Sequence, residues 1–169
     1  EELQKLGVDA AGFELDLSRP TAPAELFAVV QERFGAANIL VNNAAYSTSE
    51  NIDQLTAQSL DNHYAVNMRG MALLCRQFVQ QFGEGERVAN GRIINISSGQ
   101  GYGPMPEELA YAASKGAVEA FSLSLSAELA SRGITVNAID PGITDTGWIT
   151  DDLRQTVVAR APMGRIGTP

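Results

Sequence analysis

The sequence predicts an α/β fold in which a parallel sheet is covered by helices on both faces. Three observations predict it. Ile39-Leu40-Val41, Arg92-Ile93-Ile94-Asn95-Ile96 and Ile134-Thr135-Val136-Asn137-Ala138-Ile139 are short apolar runs of the kind that form fully buried strands. The intervals between them carry apolar residues at helical spacing. Each run then gives way to polar or small residues: Asn42-Asn43-Ala44-Ala45, Ser97-Ser98-Gly99 and Asp140-Pro141-Gly142. In open parallel sheets ligands bind beyond the carboxyl ends of the strands, so these stretches converge on one crevice.

In chain order, Glu1 to Gly7 reads as the last turns of a helix, and Ala11 to Leu17 alternates as a short strand ending at Ser18 and Pro20. Leu26, Phe27, Val30 and Phe34 mark a helix over Ala24 to Phe34, with Pro23 near its start and Gly35 after its end. Thr56 to Phe82 is a long helical stretch with a defect expected near Asn67 and Gly70. Gly83 to Gly91 is a polar surface turn. Glu107 to Arg132 is a further helix, stopped by Gly133. There is no initiator Met, and Arg165 to Pro169 reads as a turn rather than a closing element. The expectation is the interior of a longer chain, built as one partial domain over residues 1–169.

The 169 residues are 44% hydrophobic and 19% charged, an ordinary balance for a globular chain with a sizeable core. A formal net charge of −8 argues against a nucleic-acid or anionic-membrane surface. Cys75 is the only cysteine and His63 the only histidine, which excludes an internal disulfide and cysteine or multi-histidine metal sites. A reducing cytoplasm fits.

The chemistry concentrates at Tyr111-Ala112-Ala113-Ser114-Lys115. Four helical steps put Tyr111 and Lys115 on one face, about one turn apart. A phenol titrates near ~10, too high for easy proton exchange at neutral pH. An ammonium at about 5 Å, at an effective dielectric of ~20, favours the phenolate by ~3 kcal/mol, so Lys115 is expected to lower the Tyr111 pKa. His63, on a helix expected to be partly exposed, reads as structural. No G-x-S-x-G elbow exists to make Ser98 a hydrolase nucleophile.

Taken together these residues resemble the short-chain dehydrogenase/reductases, a family with a Rossmann-type, doubly wound, three-layer αβα fold. The matching motifs run in order: Asp16-Leu17, Asn42-Asn43-Ala44-Ala45, Asn67, Ser98, Tyr111 with Lys115, then Pro141-Gly142 with Thr144 and Thr146. Tyr111 follows Ser98 by thirteen residues, the separation the family uses. The family's first β-α-β unit with its Gly-rich phosphate turn, and its last strand, are not in this chain. On the family's strand order the Phe13 strand has no neighbour here. Ala45 stands where Gly is commoner.

The resemblance implies an NAD- or NADP-dependent oxidoreductase that reduces a carbonyl or oxidises the alcohol, in the manner of 3-oxoacyl-(acyl carrier protein) reductases. Tyr111 would be the proton donor, Ser98 the orienting hydroxyl, and Lys115 a ligand of the nicotinamide ribose. Asn67 would distort its helix and hold a water beside the lysine. Ser97 is the alternative to Ser98. Asp16 and Leu17 would border the adenine, and Asn43, Ala44 and Ala45 the adjacent ribose. Either Asn42 or Asn43 could instead tie neighbouring strands. Pro141 and Gly142 would pass the nicotinamide, with Thr144 and Thr146 beside it. Trp148, Ile149 and Leu153 would belong to a mobile lid. Small residues Ala113, Gly116, Ala117 and Ala120 suit close packing, and the outer faces of this helix and the Thr56 helix would form a homodimer or homotetramer. The other readings are a non-redox lyase or epimerase of the same family and a catalytically silent cofactor-binding scaffold.

Overall fold

The structure is a computed structural model and describes residues 2–83, 85–147, 149–161 and 163–168. Its elements are α1 (Glu2–Lys5), α2 (Ala22–Phe34), β1 (Ile39–Asn42), α3 (Ala57–His63), a π-helical segment (Tyr64–Gly70) and α4 (Met71–Gln80). There follow β2 (Arg92–Ile96), α5 (Leu109–Leu129), β3 (Thr135–Ile139) and α6 (Asp151–Arg160). Local chemistry sets the ends. Pro23 opens α2, and Gly35, at φ 77°, closes it with its N–H on the Gln31 carbonyl. The Thr56 hydroxyl caps α3 by accepting from the Ser59 N–H. A 3-10 turn over Ala130–Arg132 ends α5 at Gly133, whose φ of 75° is left-handed. The expected defect near Asn67 and Gly70 is the π segment, which joins α3 to α4.

The three strands form a parallel sheet in the order β1-β2-β3, in register Val41↔Ile94 and Ile94↔Asn137. One face carries the core: Ile93 and Val136 pack with Met71, Cys75 and Phe78 of α4, Val118 and Leu129 of α5, and Ile134. Helix α2 lies against α4. The chain therefore holds the sheet and one helical layer of the three-layer arrangement. The strands were expected to be buried on both faces. Instead Ile39 is 62% exposed, Val41 53% and Ile139 43%, because α4 and α5 cover only the opposite side chains.

The expected strand over Ala11 to Leu17 does not form. No strand lies beside it to complete a ladder, and an unpaired extended segment gains no cross-strand bonds. Its end is a turn instead: Asp16 accepts from the Ser18 N–H through its carboxylate and from the Arg19 N–H through its carbonyl. The π segment grips this turn. The Arg69 guanidinium donates to the Ser18 carbonyl, and Gly70 lets the Leu17 backbone approach.

A methyl at Gly70 would lie 2.9 Å from the Leu17 carbonyl oxygen and 3.3 Å from the Leu17 Cβ. Gly70→Ala is therefore expected to destabilise the fold by about 1–3 kcal/mol in denaturant melts. Gly116→Ala is the control. Its added methyl meets no atom within 4 Å on α5, so helix propensity alone should raise stability by roughly 1 kcal/mol.

Candidate active site

The carboxyl ends of three parallel strands share one edge of the sheet, so each strand delivers its following residues to the same place. Asn43, Ala44 and Ala45 leave β1 exposed, Ser97 and Ser98 leave β2, and exposed Pro141 and Gly142 leave β3. Gly142 turns the chain at φ 67°, with its N–H on an Asp140 carboxylate oxygen at 2.8 Å. Thr144 bridges to Gly167, while Thr146 is exposed.

Helix α5 lays Tyr111 and Lys115 along this edge. The Lys115 ammonium lies 5.7 Å from the Tyr111 ring centroid. It is 3% exposed and donates to the Ile96 carbonyl at 2.7 Å. The Ser98 side chain lies near enough to the Tyr111 phenol to favour its charged form. Ser97 faces the other way: it is buried, donates to Glu119 at 2.6 Å and accepts from Gln100. The pair of serines is thus divided, with Ser98 on the phenol and Ser97 anchoring the turn to α5.

Asn67 joins the cluster from the π segment. Its amide accepts from the Tyr46 N–H at 2.7 Å and donates to the Tyr46 carbonyl at 2.9 Å. The same amide nitrogen lies 2.9 Å from the Ser114 hydroxyl, next to Lys115. Asn67 therefore clamps the loop after β1 against α5. Asn42 carries out the strand-tying role: its amide donates to Asn95 at 2.8 Å, and Asn95 donates to Ser122 on α5. Asn43 stays exposed.

One expectation is corrected. The Tyr111 pKa is raised, not lowered. Burial of the phenol is the main cause; Ser98 opposes it, and the charges of Glu108 and Asp140 reinforce it. Lys115 is itself desolvated, which lowers its own pKa, and its ammonium is turned to a backbone carbonyl. Helix α3 is partly exposed, as expected, and His63 on it is buried, 1% exposed, beneath Tyr111.

Asp16 and Leu17 are held by the π segment rather than by the Tyr111 cluster, and Asp16 sits below the usual carboxylate range through its hydrogen bonds with Ser18. Ala113 and Ala120 are exposed rather than packed within the chain. Trp148 lies outside the described residues. Ile149 is partly buried, and Leu153 lines a cavity of about 460 Å³ with Ile143, Val157, Arg165 and Ile166. Sequence reasoning passed over Tyr46, Glu50 and Ser114. Of these only Ser114, one residue before Lys115, had a positional signal.

The strand ends suit a nicotinamide nucleotide. Asn43 to Ala45 and Pro141-Gly142 present exposed backbone with small side chains, and a methyl at Gly142 would meet no atom within 4 Å. The Lys115 ammonium carries three donors and gives one to Ile96. Among the described residues, no group of three or more His, Cys, Asp and Glu side chains is placed to hold a metal ion.

Sheet, strand-end crevice and tyrosine-lysine pair define an α/β nucleotide-binding oxidoreductase. Residues 1–156 match the short chain dehydrogenase family, and the chain belongs to that family of oxidoreductases. It is 50% identical over 169 residues to the uncharacterized oxidoreductase YjdA of Bacillus subtilis strain 168, covering all of this chain and 67% of that protein. It is 30% identical over 170 residues to the 3-oxoacyl-(acyl-carrier-protein) reductase FabG of Staphylococcus epidermidis, covering 99% of this chain and 68% of the other. A gluconate 5-dehydrogenase from Burkholderia cenocepacia, solved with NADP and tartrate, superposes with a TM-score of 0.87 at 26% identity. That match covers 99% of this chain and 66% of the other. The chain thus spans about two thirds of the length of its relatives.

Proposed function

We propose that the protein is an NAD(P)H-dependent carbonyl reductase, reversible as an alcohol dehydrogenase, in which Tyr111, Ser98, Lys115 and Asn67 move and hold the proton. One observation carries the reading: the Lys115 ammonium lies 5.7 Å from the centroid of the Tyr111 ring at the carboxyl edge of the sheet, with the Ser98 hydroxyl acting on the phenol. The nicotinamide supplies the hydride when bound. Ser98 and Tyr111 together receive the substrate oxygen, and Tyr111 gives its proton to that oxygen as it becomes an alkoxide. Lys115 stabilises the phenolate left behind and, with Pro141, Gly142, Thr144 and Thr146, would hold the nicotinamide riboside; Asp16 and Leu17 would border the adenine, and Asn43 to Ala45 the ribose next to it.

A 3-oxoacyl thioester is the first substrate to try, since the FabG relative is named for that class. NADP is the first cofactor to try, since the gluconate dehydrogenase was solved with it. The reading extends to a single NAD(P)-binding domain, working in the cytoplasm as a homodimer or homotetramer. Exposed Leu123 on α5 and Leu60 and Tyr64 on the α3 side support that assembly, and a chain with one cysteine and no internal disulfide suits a reducing compartment.

The test is NADPH and NADH consumption by the intact protein over acetoacetyl thioesters, simple ketones, aldehydes and keto sugars. Ketone reduction needs the protonated phenol, so its kcat/KM should hold level through neutral pH and fall on the alkaline side. The reverse reaction needs the phenolate and should rise there. No consumption with any carbonyl would overturn the reading.

A further inference from the structure

Beneath Tyr111 lies a buried polar cluster that the proposed mechanism does not use. His63, the last residue of α3, has its Nδ1 2.8 Å from the Ser59 carbonyl and its Nε2 3.3 Å from the Thr48 backbone nitrogen. A carbonyl only accepts and a backbone N–H only donates, so the ring is neutral with its proton on Nδ1. The imidazole stands edge-on between two phenol rings: Tyr46 at 4.9 Å and Tyr111 at 6.4 Å between centroids.

Glu50, 6% exposed, completes the cluster. Its carboxylate accepts from the Ser59 hydroxyl at 2.5 Å and the Thr48 hydroxyl at 3.0 Å. These bonds hold it below the usual carboxylate range, the Ser59 hydroxyl contributing most and the nearby Ala110 N–H also favouring the charged form, while its other oxygen, Oε1, is buried without a hydrogen-bond partner. Its own N–H donates to the Glu107 carbonyl at 2.7 Å. Glu108, the residue at the cap position of α5, supplies no capping side chain. Glu50 is therefore fastened by its backbone to the start of the Tyr111 helix from another segment, with its carboxylate near the Ala110 N–H, where a negative charge suits the helix dipole. Ser59 links the two halves: its hydroxyl serves Glu50 and its carbonyl serves His63.

We propose that Glu50 and His63 are positioning residues for Tyr111, a buried bracket in which Glu50, its carboxylate held by Thr48 and Ser59, fastens the start of α5 and the imidazole edge holds the phenol ring in place. The inference rests on Tyr111 being the proton donor. The bracket sets the direction of the O–H bond, which a proton transfer at hydrogen-bond distance depends on. His63 is also part of the wall that desolvates the phenol. The other groups acting on that phenol are Ser98, Glu108, Asp140 and Lys115.

The test compares His63→Ala, His63→Phe and Glu50→Gln with wild type and Tyr111→Phe in the intact protein. Two readouts are used: steady-state kinetics with NADPH and the best carbonyl of the panel, and phenolate absorbance on alkaline titration. Subtracting the Tyr111→Phe titration isolates Tyr111 without needing turnover. His63→Ala should lower kcat about tenfold to a hundredfold, with KM for NADPH held within about twofold, and move the Tyr111 titration to lower pH as water enters. His63→Phe keeps a ring in place and should restore the titration and most of kcat. Glu50→Gln, nearly isosteric, should lower kcat about two- to fivefold and serves if His63→Ala does not fold. Wild-type kcat and an unmoved titration in His63→Ala, or wild-type kcat in Glu50→Gln, overturns the bracket. Wild-type turnover in Tyr111→Phe overturns the proton-donor reading instead.

Discussion

Replacing Tyr111 by Phe is expected to lower kcat for carbonyl reduction by about 10²–10⁴-fold while leaving cofactor affinity nearly unchanged. The phenol lies near the Ser98 hydroxyl and is placed over an ammonium at the open edge of the sheet. Phenylalanine keeps the ring, its edge contact with His63 and its place on α5, so the fold should hold. Only the transferable proton is lost. Single-turnover measurements with prebound NADPH would check that the loss lies in the chemical step. A variant with turnover near that of wild type would mean that another group supplies the proton.

Replacing Lys115 by Met is expected to lower kcat/KM by about 10²–10³-fold, the loss typical of removing one fixed donor from a charge-stabilising site. Stability should move little, and upward if at all. The lysine is buried with its ammonium on a single described acceptor, the Ile96 carbonyl, and desolvation lowers its pKa. Methionine fills nearly the same volume and removes that charge, offsetting the hydrogen bond lost at Ile96. Kinetics and thermal melts on one preparation separate the two effects. Parallel losses of activity and Tm would make Lys115 a structural residue.

The helices and the sheet strands were legible because their signals are local. The apolar runs at Ile39, Arg92 and Ile134 became β1, β2 and β3 within one residue at either end. Pro23, Gly35 and Gly133 stand where helices start and stop, and Asn67 and Gly70 fall inside the π segment. The segment from Ala11 to Leu17 shows the limit of such signals. Alternation describes a side chain's preference for two faces, but a strand exists only beside a partner, and here Arg69 and Gly70 hold the turn instead.

Within the site the same division recurs. Spacing alone places Tyr111 and Lys115 on one helical face, and strand-end placement brings Asn43, Ser98 and Gly142 to one edge, because both follow from backbone geometry. Which of two neighbours faces the crevice follows from packing. Ser97 goes to Glu119 and Ser98 to Tyr111; Asn42 goes to Asn95 while Asn43 stays exposed. Nor does spacing reveal solvation: the expected lowering of the Tyr111 pKa by Lys115 is reversed by burial, a property of every segment around the ring. The sequence by itself determined the parallel α/β architecture, the family and the placing of Tyr111 and Lys115 on one helical face, since these depend on periodicity and on motifs in fixed order. Only the tertiary structure decided the contacts of Ser97, Asn42, Glu50 and His63, because they depend on how separate segments pack against one another.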